Sequence, residues 1–105
     1  MSTTIDVIAE IHKERVHQIE DLGFDEAHDD RTGIEGFAYL IQRRMIDLTY
    51  QQMAQVAPQR RYLVEAAAMA VAAIEAYDRA AAAHVEHLFT TMKQHEDATN
   101  HEGIG

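Results

Sequence analysis

Three groups of acidic side chains in this chain have the type and spacing that can hold a hard cation. Glu10 and Glu14 stand one helical turn apart with Gln18 a turn further on, so the three share one helix face. Glu75 and Asp78 are three residues apart and also face one way. Between the two pairs lies His28-Asp29-Asp30. Carboxylates presented from neighbouring helices can hold magnesium against a phosphate chain, because that ion takes oxygen ligands and keeps several waters. A metal so held neutralises phosphate charge and activates water for attack. The same spacings describe solvated helix faces and caps equally well. What separates the two is whether the acids converge.

Other residues invite similar readings. His84 and His87 are three apart around Glu86, with His95 following, but no second ligand set of matching spacing exists, and they read as surface histidines. Arg43-Arg44 and Arg60-Arg61 could clamp phosphate; they also neutralise an acidic surface and flank the turn at Pro58. There is no glycine-rich phosphate loop, nucleophile elbow or catalytic triad pattern.

Three helical segments must position these groups. The first opens at Thr3, with Asp6 as capping-box partner, and runs to about Leu22 before Gly23. Ile5, Ile8, Ile11, Ile19 and Leu22 form its apolar side, opposite Glu10, Glu14, His17, Gln18 and Asp21. Gly23 to Asp30 reads as an acidic connection. A second helix is expected from Thr32, at capping-box spacing from Glu35, to about Val56. Phe37, Leu40, Ile41, Met45 and Leu48 make one apolar face, while Tyr39, Ile46, Tyr50 and Met53 lie elsewhere, as on a helix packed on more than one side. Pro58 fits the first turn of a third helix reaching about His95, on the order of 55 Å long. Along it Leu63, Ala67, Ala70, Ile74, Tyr77, Ala81, Val85, Leu88 and Met92 recur at spacings of three and four, a helix–helix seam, and alanines cover the other sides. The expected architecture is all-α, a small bundle of three main helices with a long C-terminal helix, completed by oligomerisation. Residues 1–95 form its single domain, and 96–105 a flexible polar tail.

Composition agrees with this. The chain has 105 residues, 47% hydrophobic but only 7% aromatic, with one proline, so its core must come from aliphatic side chains in close-packed helices. No cysteine is present, which excludes disulfides and thiolate metal sites. A net charge of −9 argues against direct DNA binding, which needs clustered Lys and Arg to displace counterions. Met1 to Ile5 lacks a basic start followed by an apolar core, and Ala66 to Ala76 is too short and alanine-rich to span a bilayer. A soluble, cytoplasmic protein without membrane partners is the expectation.

The run Lys13-Glu14-Arg15-Val16-His17-Gln18-Ile19-Glu20-Asp21-Leu22-Gly23-Phe24, followed by His28-Asp29-Asp30, resembles a set of small phage and prophage proteins. They open with E-R-x-x-Q, then a glycine and an aromatic residue, then H-D-D or H-P-D. They close an alanine-rich helix with I-E-x-x-D-R, matched here by Ile74-Glu75-Ala76-Tyr77-Asp78-Arg79. The resemblance covers about Ile8 to Ala80. Members of that set look like MazG-type nucleotide pyrophosphohydrolases: all-α, oligomeric, magnesium-dependent enzymes that cleave nucleoside triphosphates to monophosphates and pyrophosphate.

That family's motif is E-E-x-x-E on one helix and E-x-x-D on another. Glu75 and Asp78 match the second part, but the middle helix reads Leu40-Ile41-Gln42-Arg43-Arg44-Met45-Ile46-Asp47, with cations where acids would stand. The resemblance therefore implies a magnesium (Mg2+) site drawing on Glu14, Glu75 and Asp78. Gln18, His28, Asp29 and Asp30 would then position nucleotide or water. A site that has lost its metal could use Arg43 and Arg44 to neutralise phosphate instead. Three functions follow as expectations: a MazG-like nucleoside triphosphate pyrophosphohydrolase, an inactive nucleotide-sequestering relative, or an acidic helical protein that inhibits a host protein in the host cytoplasm.

Overall fold

The structure, a computed structural model, describes residues 3–55, 57 and 59–104, with side chains through residue 97. Its elements are α1 (Thr4–Glu20), α2 (Glu26–Met53) and α3 (Arg60–Ile104), an all-α bundle as expected. Pro58 and Val56 lie outside the described residues.

Helix α1 starts where the sequence indicates. The Thr3 side chain accepts from the Asp6 N–H at 3.2 Å while Asp6 Oδ2 accepts from the Thr3 N–H at 3.1 Å, so two otherwise orphaned donors are satisfied reciprocally. These bonds hold the Asp6 carboxyl below the usual carboxylate range. At the far end the chain turns through Gly23 (φ 75°), and the Phe24 N–H returns to the Gln18 carbonyl at 2.9 Å.

Helix α2 departs from expectation. It begins at Glu26, because Asp25 accepts from the His28 N–H at 2.8 Å and acts as the cap. His28, Asp29 and Asp30 are therefore helical, not part of a loop. Thr32 is not a cap either, since its hydroxyl donates back to the His28 carbonyl at 2.9 Å. The interruption falls one residue later, at Gly33 (φ 64°, ψ −178°), a backbone conformation essentially restricted to glycine. No atom lies within 4 Å of where a Cβ would stand, so backbone conformation rather than space demands glycine there.

Helix α2 runs antiparallel to α3, and the pairing is legible in its cross-links: Asp30 with Arg79, Phe37 with Met69 and Ala72, Arg44 with Glu65, and Gln51 with Gln59. Phe37, Met69 and Ala72 form the core, with Leu40, Ile41 and Ala73 against it. Buried Ala66, Ala68 and Ala76 extend the contact face of α3, their small side chains allowing close approach. Helix α1 also packs on α3, with Val7 and Ile11 lining a shared apolar groove of about 290 Å³ with Leu63, Val64 and Ala67.

Because α2 starts opposite the neighbourhood of Ala83, α3 projects beyond it. Every described residue from Ala80 to Asp97 is exposed, and helical backbone continues to Ile104. The molecule measures 78 × 27 × 24 Å, and its radius of gyration of 21.1 Å far exceeds the ~13 Å of a compact domain this long. Among the described residues no helix is long and apolar enough to cross a membrane.

Candidate functional site: the Arg15 junction

Arg15 is the residue on which the three helices meet. Projecting from α1 and only 7% exposed, it donates from Nη2 to Asp29 Oδ2 at 2.6 Å, from Nε to Glu75 Oε1 at 3.1 Å, and from Nη1 to the Phe24 carbonyl at 3.4 Å. The planar guanidinium is suited to this, since its donors leave in fixed, separate directions. Asp29 is fully buried, and its other oxygen lies 3.0 Å from His28 Nδ1, which places the ring proton on that nitrogen. The His28 ring is stacked on Phe24, centroids 4.3 Å apart. Next along the helix, Asp30 accepts from both Nε (3.1 Å) and Nη2 (2.9 Å) of Arg79, and the pair holds the Arg79 guanidinium above its ordinary pKa.

The segments Lys13–Phe24, His28–Asp30 and Ile74–Arg79 are thus drawn to one place by charge-assisted bonds. Beside it, between the Gly33 break and α3, opens a groove of about 600 Å³ lined by Asp30, Thr32, Gly33, Ile34, Glu35, Ala76, Tyr77, Arg79, Ala80 and Ala83. Its lining is mostly apolar, with the Asp30–Arg79 pair and Glu35 as its charged residues.

The other candidate residues are spread around this junction. Gln18 is buried; its amide donates to the Glu65 carbonyl at 3.4 Å, and its Oε1 has no hydrogen-bond partner among the described residues. Glu14 lines a separate groove of about 390 Å³ with Glu10, His17, Arg60, Arg61, Val64 and Glu65. There Arg60 grips Glu10 with both terminal nitrogens and holds its carboxyl below the usual range. Asp78 is exposed. Arg44 is engaged by Glu65 at 2.8 Å and lies over the Tyr62 ring, while Arg43 is exposed.

The geometry bears on magnesium directly. Among the described residues no group of three or more His, Asp or Glu side chains is gathered closely enough to hold a metal ion. Glu75 already lies against the Arg15 guanidinium, a cation that would repel a second one, and Glu14 opens onto a different groove. The described residues do not fit a magnesium site.

Arg15 itself did not stand out in the sequence as a site residue. Its signal was a lone arginine within an acidic helical stripe, placed between Glu14 and Gln18. Tyr77 and Arg79 were visible only as part of a helix seam and a motif end. No family model, curated protein or solved structure matches the chain.

Proposed function

We propose that this chain is a phage-type, MazG-like protein that self-associates through its helices and binds a nucleoside phosphate in the groove beside the Arg15 junction, in the host cytoplasm. One observation carries the reading. Two segments distant in sequence that bear the resemblance, His28–Asp30 and Ile74–Arg79, contribute Asp30, Tyr77 and Arg79 to a single groove of about 600 Å³. That volume lies within the ~300–1,000 Å³ usual for small-molecule sites. The alanine floor and the Tyr77 ring offer a base an apolar surface and a π face. Arg79 supplies a planar cation that exchanges Asp30 for phosphate oxygens. Asp29, out of reach of solvent, acts only by holding Arg15 and His28 in place.

Sequestration is favoured over hydrolysis, because among the described residues no three acidic or histidine side chains are gathered closely enough to hold a metal ion. Turnover would require Glu14, Glu75 and Asp78 to be completed by groups from elsewhere. The test is to incubate the protein with a panel of nucleoside triphosphates, with and without magnesium, following melting temperature and release of monophosphate and pyrophosphate. A nucleotide-dependent rise in melting temperature without turnover is expected. Turnover abolished by Glu75→Gln would establish the hydrolase instead.

A second reading is favoured by one surface. Tyr39, Ile46, Tyr50 and Met53 are all exposed and recur at helical spacing along the side of α2 away from α3. Such a stripe suits an acidic helical protein that inhibits a host protein. The absence of both turnover and thermal shift across the panel would support that reading.

A further inference from the structure

Residues 26–32, the first turns of α2, are attached to the bundle differently from the rest of that helix. Ala27 is the one apolar residue among them, and it is exposed. The core of Phe37, Met69 and Ala72 takes its α2 residues from beyond the break at Gly33. What holds the segment down is charge. Asp29 accepts from Arg15 of α1 at 2.6 Å, and Asp30 accepts from Arg79 of α3 at 2.9 Å. On either side the chain passes through a glycine with positive φ, Gly23 at 75° and Gly33 at 64°. A short segment without buried apolar side chains, bounded by two such residues, can open as a unit while the core stays folded.

Opening would change the charge balance at the junction. Arg15 keeps Glu75, whose Oε1 lies 3.1 Å from its Nε. Arg79 bonds to no carboxylate other than Asp30 among the described residues. Two guanidinium groups would then face the space that Asp29 and Asp30 had filled, with Glu75 alone to balance them. Each guanidinium is a planar fork suited to phosphate oxygens.

We propose that residues 24–33 are an autoinhibitory strap, in which Asp29 and Asp30 occupy the places of two phosphate groups and are displaced by them. The ligand class is a di- or triphosphate chain, whose neighbouring anionic groups replace two carboxylates on consecutive residues. Ion pairs lost with the strap are remade with the ligand. Because the ligand pairs with both arginines only when the strap is lifted, it shifts the population toward the open form. Asp30, Thr32 and Gly33 wall the groove of about 600 Å³, so lifting the strap also widens it. This rests on the exchange of Asp30 for phosphate at Arg79 proposed above, and adds Arg15 and the movement of the strap.

The test is amide hydrogen exchange of the full chain, with inorganic pyrophosphate compared against sodium chloride at matched ionic strength. In chloride, residues 26–32 are expected to exchange several-fold faster than residues 37–50. Pyrophosphate should accelerate 26–32 several-fold further and leave 37–50 unchanged. Asp30→Asn is expected to give the faster exchange without pyrophosphate, and Arg79→Gln to remove the response to it. Equal protection of 26–32 and 37–50 in both salts overturns the strap and leaves the groove reading standing. Fast exchange that pyrophosphate leaves unaltered, or slows, overturns the displacement of the two aspartates. Pyrophosphate carries no base, so a failed nucleotide panel and a failed opening are read separately.

Discussion

Arg15 reaches across from α1 to place its Nη2 2.6 Å from Asp29, a carboxylate with no exposure to solvent. Helices α1 and α2 both lie against α3, and this ion pair is what joins them to each other. Breaking one partner of a buried pair leaves an uncompensated charge, which costs about 3–5 kcal/mol. Arg15→Met and Asp29→Leu are each expected to lower stability by that order in chemical denaturation, and the double variant by much less than their sum.

Gly33 sets a second expectation. With φ 64° and ψ −178°, any residue with a Cβ must strain the backbone at the break in α2. Gly33→Ala is expected to lose about 1–3 kcal/mol, read as a drop in melting temperature. An unchanged melting temperature would mean that the break is not held as described.

Acid should weaken the α1 end of the bundle in a defined window. The folded-state pKa values of Asp6 and Glu10 are depressed, by the Thr3 cap and by Arg60 respectively. A depressed carboxylate contributes stability that is fully present above its unfolded pKa and is lost as pH falls through the folded value. The loss is therefore expected below about pH 4, the range of free carboxylates. Thr3→Ala and Arg60→Gln should each flatten the acid limb of stability against pH while leaving neutral-to-alkaline behaviour alone. Melting curves from pH 2 upward read this out.

The core makes a fourth prediction. Phe37 is completely buried between α2 and α3 and is packed by Met69 and Ala72. Phe37→Ala is expected to cost about 3–5 kcal/mol, against under ~1 kcal/mol for Tyr39→Ala two residues away on the open side of the helix.

Periodicity and caps carried most of the architecture into view from the sequence, because both are local. The Thr3–Asp6 box marked the start of α1, and the spacing from Leu63 to Met92 marked an apolar stripe of α3 whose large side chains stay exposed. The start of α2 was misplaced for an equally local reason. Thr32 and Glu35 imitate a capping box, while the working cap, Asp25, is hidden in an acidic run, and the disruption at Gly33 looks like an ordinary small residue. The Arg15 junction was illegible because it depends on residues 15, 29 and 75 being brought together by helix packing, which spacing along one helix cannot encode. The acids that spacing offered to a metal are instead held by arginines, which pair with Glu10, Asp29, Asp30 and Glu75.

The reading of the groove beside Arg15 as a nucleotide site is tested most directly by amide chemical-shift mapping of the ¹⁵N-labelled protein during titration with nucleoside triphosphates. Perturbations are expected to concentrate on residues 28–36 and 74–83, the two walls of the groove, and to be reduced by Arg79→Gln. Perturbations confined to the Glu10–Glu14 side of α1, or no perturbation with any nucleotide, would contradict it.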